Sequence, residues 1–154
     1  MMLRIMIGAV SAATFIFSSA AVAQQGSFGT APEARAMLDK AAAAVAADKA
    51  AALGMFNNGE GGFKDRDLYP FCFNLSDGKF VAAIKSLLGT DVRALKDPTG
   101  KLFGPQLYAA AQEPIGQVTE VSYMFPRPGD TTPVPKVTFI TKAGDLGCGV
   151  GYYK

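Results

Sequence analysis

Asn57-Asn58-Gly59-Glu60-Gly61-Gly62 divides this chain into two parts that must fold by different rules. Asparagine and glycine tolerate left-handed backbone better than other residues, so this run ends any helix that reaches it. Before it, Ala34, Met37, Leu38, Ala41 and Val45 recur at helical spacing in a stretch dominated by alanine, the strongest helix former. After it, aromatic and β-branched runs alternate with glycine, proline and aspartate, a punctuation suited to short strands and tight turns.

The helical part has a defined start. Thr30-Ala31-Pro32-Glu33 pairs a capping-box threonine and glutamate with a proline in the first turn, where a missing N–H costs nothing. Asp48 and Lys49 interrupt the apolar pattern, and Ala52, Leu53 and Phe56 resume it. The spacing predicts either one bent helix or two short ones with Asp48 capping the second. In the second part, Leu68 to Asn74 reads as a strand, Ser76-Asp77-Gly78 as a turn and Lys79 to Ile84 as the hairpin partner. Residues 87–103 are irregular, Pro105 opens a brief helix through Ala111, and Gln117 to Phe125, Pro135 to Lys142 and Gly147 to Tyr153 are three more strands. The whole is an α+β plan, a long N-terminal helix packed on a five-stranded antiparallel sheet. Both faces of the first strand are apolar, so each needs a cover.

The first residues bear on the compartment. Arg4, the apolar run Ile5 to Phe17 and the small-x-small triplet Ala21-Val22-Ala23 form a signal-peptide pattern over residues 1–23, with residues 24–154 as one mature domain starting near Gln24. The run is shorter than the roughly 20 residues of a comfortable span, so cleavage is favoured over a retained anchor and leaves no stable membrane span. The expected location is periplasmic or secreted. There Cys72 and Cys148 meet an oxidising environment that favours pairing them; two separate buried thiols are the alternative.

Composition removes several function classes. The formal net charge is +2, one unit of which belongs to Arg4, and the lysines and arginines are scattered without the basic stripe that nucleic-acid binding needs. There is no histidine, which removes the commonest general base and the commonest nitrogen ligand for a metal. No serine or cysteine stands beside a plausible activator, and Asp65 and Asp67 read as a solvated loop between Phe63 and Asp67 in which acids and bases alternate. The reading is a protein that is not an enzyme, with no metal site and no cofactor.

At this point a family comes into view. Leu68-Tyr69-Pro70-Phe71, Asp77-Gly78-Lys79-Phe80-Val81 and Leu88-Gly89-Thr90-Asp91 follow one another at set distances. They are succeeded by Lys96-Asp97-Pro98-Thr99-Gly100-Lys101, Tyr123-Met124-Phe125-Pro126 with Pro128, and Pro135-Lys136-Val137. No one of these is specific, but in this order and spacing the chain from Thr30 to Lys154 resembles the single Cache domains, PAS-like extracellular sensor modules of bacterial receptors, in a stand-alone secreted form. The resemblance implies that the long helix lies on one face of the sheet. A small-ligand pocket would then occupy the other face, under the insertion between the second and third strands. It also implies that the first and last strands are neighbours, which gives Cys72 and Cys148 a reason to meet. Two departures stand out: Ala83-Ile84 occupies the place where relatives often carry His-Pro, and Phe125 stands where a tryptophan is common.

Small-molecule pockets combine apolar walls with a few convergent polar groups. Tyr69 and Phe71 share a face of the first strand, and Tyr123 and Phe125 share a face of the third. These four are the wall candidates, with core packing as the competing role for Phe71 and Phe125. A buried phenol wants a partner, and at Tyr123 a ligand would supply one. Lys136 opens a central strand, where a charge is expensive unless it reaches water or an anion, and the resemblance sets it against a ligand carboxylate. Arg127, just past the aromatic pair, has the fork geometry to clamp a carboxylate, against the alternative of a solvated surface residue. Asp97, Asn74 and Asp77 read as turn builders. The functional expectation is a periplasmic sensor that binds a small organic ligand of the carboxylate type without catalysis. The alternative is a partner-binding module that docks on a membrane receptor; a receptor or kinase is in either case the candidate protein partner, and nucleic acid is not.

Overall fold

The computed structural model describes residues 26–154; the expected signal peptide at residues 1–23 lies outside the described residues. Helix α1 (Ala31–Ala47) starts where the capping box places it. The Thr30 backbone N–H and hydroxyl both donate to Glu33 Oε2 at 2.8 Å. Its buried face is Ala34, Met37, Leu38, Ala41 and Val45, the residues whose spacing predicted it. Three of the five are small or compact enough for the helix to lie close across the sheet.

Asp48 does break the helix. Its backbone is extended, and its Oδ1 accepts from the Ala51 N–H at 3.0 Å to cap α2 (Lys49–Asn58). Gly59, with φ 69°, closes α2 in the left-handed conformation that only glycine adopts cheaply. Asn57, in the last turn of α2, donates from Nδ2 to the Val81 carbonyl and accepts from the Ala83 N–H. One side chain thus satisfies the two backbone groups that flank Ala82 at the end of the second strand.

The strands are β1 (Pro70–Asn74), β2 (Phe80–Ala82), β3 (Val118–Pro126), β4 (Pro133–Ala143) and β5 (Leu146–Tyr153), in the spatial order β2-β1-β5-β4-β3 with every pair antiparallel. Two strands are shorter than expected. β1 begins at Pro70 because Asp65 and Leu68 exchange backbone hydrogen bonds in a local turn ahead of it. β2 stops at Ala82, and the outer edge of Phe80 is taken by Gly89 and Thr90 of the insertion. Cys72 of β1 sits directly opposite Cys148 of β5, and the two form a fully buried disulfide.

The sheet divides the core in two. On one face Leu68, Cys72, Phe139, Leu146, Cys148 and Val150 meet α1 and α2. On the other, Phe71, Phe73, Phe80, Val121, Tyr123 and Ile140 meet residues of the insertion and of α3 (Gly104–Ala110). The insertion holds a single 3-10 turn at Val92–Ala94, and α3 seats against it through Gly104, where a Cβ would lie 1.8 Å from the Val92 carbonyl oxygen. No helix among the described residues is long and apolar enough to cross a membrane.

Candidate functional site

The second face of the sheet brings together the residues named as wall candidates, and a glycine stripe shapes that face. Gly147, Gly149 and Gly151 alternate on β5 and present bare backbone to that face. The ring of Phe73 lies where a Cβ on Gly147 would stand, the ring of Phe71 covers Gly149, and the stem of Lys136 covers Gly151. This bed of glycines allows two phenylalanines and a lysine to lie flat across the centre of the sheet. Gly-x-Gly-x-Gly in the last strand was the sequence signal for it, legible by period alone. A Cβ on residue 151 would stand 2.2 Å from Lys136 Cε. Gly151→Ala is therefore expected to lower the unfolding free energy by about 1–3 kcal/mol through overpacking, read from the midpoint of urea unfolding. An unchanged midpoint would mean that the lysine stem lies elsewhere.

Lys136 is the chemical centre. It pairs in register with Tyr123 on β3 and Tyr153 on β5, and is 2% exposed. Its Nζ stands 4.8 Å from the ring centre of Tyr69, 4.9 Å from Tyr153 and 5.1 Å from Phe125, an aromatic cage built from three different strand ends. Among the described residues its one hydrogen bond is to Tyr69 Oη, at a long 3.3 Å. Burial pushes the lysine down to about 7, with the charge of Asp67 pulling the other way. Cation–π contacts contribute roughly 0.5–2 kcal/mol each and the effective desolvation cost of a buried ion is several kcal/mol, so the cage works against the burial cost without supplying a counter-charge. Burial also pushes Tyr69 up to about 12, the neighbouring Tyr153 hydroxyl opposing it. Tyr123 and Tyr153 are raised further, again chiefly by burial.

Tyr69, Phe71, Tyr123, Phe125 and Lys136 converge on one hollow, together with Phe80 of the hairpin motif, Ala83 and Ile84 at the place where relatives often carry His-Pro, and Leu87 and Phe103, which the sequence had not marked. The hollow is small. Phe103 stacks on Tyr123 with ring centres 3.9 Å apart and planes 4° from parallel, and the remaining cavity is about 20 Å³. That is room for about one water molecule. The phenol of Tyr123 does not wait for a ligand, because Thr138 Oγ1 takes its hydrogen bond at 2.7 Å. Outside, a groove of about 270 Å³ runs along Phe56, Asn57, Lys64 and Lys85 and shares Tyr69, Ala83 and Ile84 with the hollow. These three shared residues stand between that groove and the hollow.

Arg127 is placed apart from the hollow. Its guanidinium lies 4.2 Å over the ring of Phe28 and 5.0 Å over that of Tyr153, with Nε 3.6 Å from Asp67 Oδ2. Asp67, expected on a solvated loop, is 6% exposed and accepts the Gly29 N–H through Oδ1 at 2.6 Å. The expectation failed because a sequence run of alternating charges does not show that the N-terminal segment folds back over it. Asp97 does build its turn, accepting from the Thr99 N–H and hydroxyl and the Lys101 N–H, and it also reaches the Met124 N–H at 3.4 Å, tying the insertion to β3. Asp77 caps its hairpin turn through the Lys79 N–H.

No protein-family model matches the sequence, and neither does any curated protein. Solved structures do match. A periplasmic sensor domain of a chemotaxis protein is 25% identical, with a TM-score of 0.60 over 78% of this chain and 87% of that one. A methyl-accepting chemotaxis protein from Vibrio parahaemolyticus is 22% identical, with a TM-score of 0.62 over 79% of this chain and 86% of its own. A Cache chemosensory domain described for carboxylic acid recognition is 22% identical, with a TM-score of 0.56 over 78% and 85%. Helices on one face of a five-stranded antiparallel sheet, an insertion on the other and structural neighbours of this kind agree: the chain has the fold of a single Cache, PAS-like sensor domain.

Proposed function

We propose that this domain is a periplasmic or secreted sensor that binds a small monocarboxylate at Lys136, and that binding rather than catalysis is its function. The observation that carries the reading is the lysine itself. A primary amine that is 2% exposed, ringed by three aromatic side chains and holding one long hydrogen bond has capacity left for an anion. Buried charges in proteins are paired, and a carboxylate is the partner whose two oxygens suit an ammonium lodged among apolar walls. The structural neighbour described for carboxylic acid recognition supports the same class.

The size of the hollow limits the ligand. With about 20 Å³ free, even a two- or three-carbon acid must displace a wall, and Phe103, which belongs to the insertion and not to the sheet, is the wall whose shift would leave the strands in place. Lys64 and Lys85 flank the outer groove and would draw anions toward the entrance at Tyr69, Ala83 and Ile84.

Isothermal titration with a panel of short organic acids and amino acids tests the reading, with Lys136→Met as control. Binding of a short monocarboxylate, lost in the variant, is the expected result. A folded protein that binds none of the panel, yet retains a stable partner from a periplasmic extract, would replace it with the alternative: a module that docks on a membrane receptor or kinase without a ligand.

A further inference from the structure

We propose that the Lys136 amine is neutral in the empty site and takes one proton from solvent when a carboxylate anion enters, so that the protein binds its ligand as anion plus proton. This rests on the reading of the site as a carboxylate pocket and goes beyond it, because it makes the response depend on pH.

The geometry requires something to balance a charge at Nζ, and the surroundings do not supply it. From the segment before β1, Tyr69 gives a phenol oxygen at 3.3 Å. From β3 and β5, Tyr123 and Tyr153 add two more phenols, already engaged with Thr138 Oγ1 and the Pro126 carbonyl. All three phenols keep their protons at neutral pH, since burial raises each of them. Asp67 is the carboxylate whose field reaches Lys136, and its own Oδ2 is matched against Arg127 at 3.6 Å, so the two together bring almost no net charge. On the opposite side Asp97, Lys101 and Lys154 border a separate cleft that touches Lys136. There Asp97 is consumed by the Thr99 and Lys101 backbone and Lys101 by the Ser122 carbonyl.

An ammonium buried in such a setting has the faces of three rings around it but no counter-charge of its own, whereas a neutral amine needs none. The Tyr69 hydroxyl then donates to the amine lone pair, which suits a neutral nitrogen as well as the reverse direction suits an ammonium. An arriving carboxylate changes the balance: solvent supplies a proton, the amine becomes an ammonium, and the two charges pair inside the cage. No bond other than N–H is made. The lowering of Lys136 to about 7 by burial agrees with this and sets the pH range in which the linkage is seen.

Two measurements decide it. In the ligand-free protein, the Lys136 side-chain resonances, assigned by their absence in Lys136→Arg, are expected to titrate near pH 7. A lysine that stays protonated to pH 9 overturns the proposal, whether or not any ligand is known. With acetate and propionate as probes, calorimetry in phosphate and in Tris at pH 8 is expected to show uptake of nearly one proton per ligand bound, falling toward none at pH 6. Affinity should drop about tenfold per pH unit above 8. Lys136→Arg, permanently charged, should bind with no proton uptake if it binds. Probe binding whose heat is the same in both buffers at pH 8 would sink the coupling while leaving the carboxylate reading intact. Absence of any binding would sink that reading and leave the resonance titration to judge the charge state.

Discussion

Lys136→Met is expected to make the protein more stable at pH 6 while abolishing carboxylate binding. Below about pH 7 the folded protein must hold an ammonium that burial disfavours, and the unfolded chain holds the same ammonium in water. The cost is therefore fully present at low pH. Between pH 7 and the ordinary lysine value near 10.5, the unfolded state binds more protons than the folded one, so stability rises with pH as the penalty is relieved. Replacing a buried charge by an apolar side chain of similar length is often worth about 1–4 kcal/mol, and the gain here should lie in that range at pH 6 and shrink toward zero by pH 10. Above pH 10 wild type and variant should both weaken, because Tyr69, raised to about 12, keeps a proton that the unfolded chain releases. Urea unfolding at pH 6, 8 and 10 reads this out. A variant less stable than wild type at pH 6, or a difference that does not change with pH, would mean that Lys136 is already satisfied and that the site asks for no anion.

Removing the disulfide with Cys72→Ala and Cys148→Ala together should have the largest effect on stability. The bond joins positions 76 residues apart, and the loop that it closes contains the insertion, α3, β3 and β4. A closure of that length is worth roughly 4 kcal/mol in the chain-entropy model, and the loss of native disulfides typically costs about 2–5 kcal/mol. Both sulfurs are also fully buried against the α1–α2 face, so the double variant loses packing as well as the cross-link. For a domain of this size the melting temperature should fall by about 10–15 °C. Because the sulfurs are inaccessible in the folded state, dithiothreitol alone should do little until urea opens the core. A double variant within about 1 kcal/mol of wild type would show that sheet pairing of β1 with β5 is self-sufficient.

Much of the architecture was legible because it depends on local chemistry. The Thr30 capping box, the Asp48 break, the Gly59 stop and the turn at Asp77 each act through neighbours in sequence, and each stands where expected. The five strands were found for the same reason, though β1 and β2 came out short where backbone groups found partners outside the sheet. That Tyr69, Phe71, Tyr123 and Phe125 lie together on one hollow was legible in part, since alternation assigns residues to a face but says nothing of what meets them there. Phe103 and Thr138 were missed because no periodic signal marks a single residue that reaches across from an insertion or a neighbouring strand. Asp67 was misplaced because its partners, Gly29 and Arg127, are far from it in sequence.

By itself the order of residues determined where the long helix starts and breaks, which side of a strand is apolar, and that Lys136 and Lys142 stand in a strand otherwise rich in apolar residues. Those outcomes follow from propensities, caps and period, which act over a few residues. Only the tertiary structure decided that Lys136 is enclosed by three rings brought from three strand ends, that a glycine stripe on a neighbouring strand makes room for its stem, and that Arg127 serves Asp67 and not the hollow. Strand order and register set those distances, and both arise from long-range packing of two cores on one sheet, which no local window of sequence contains.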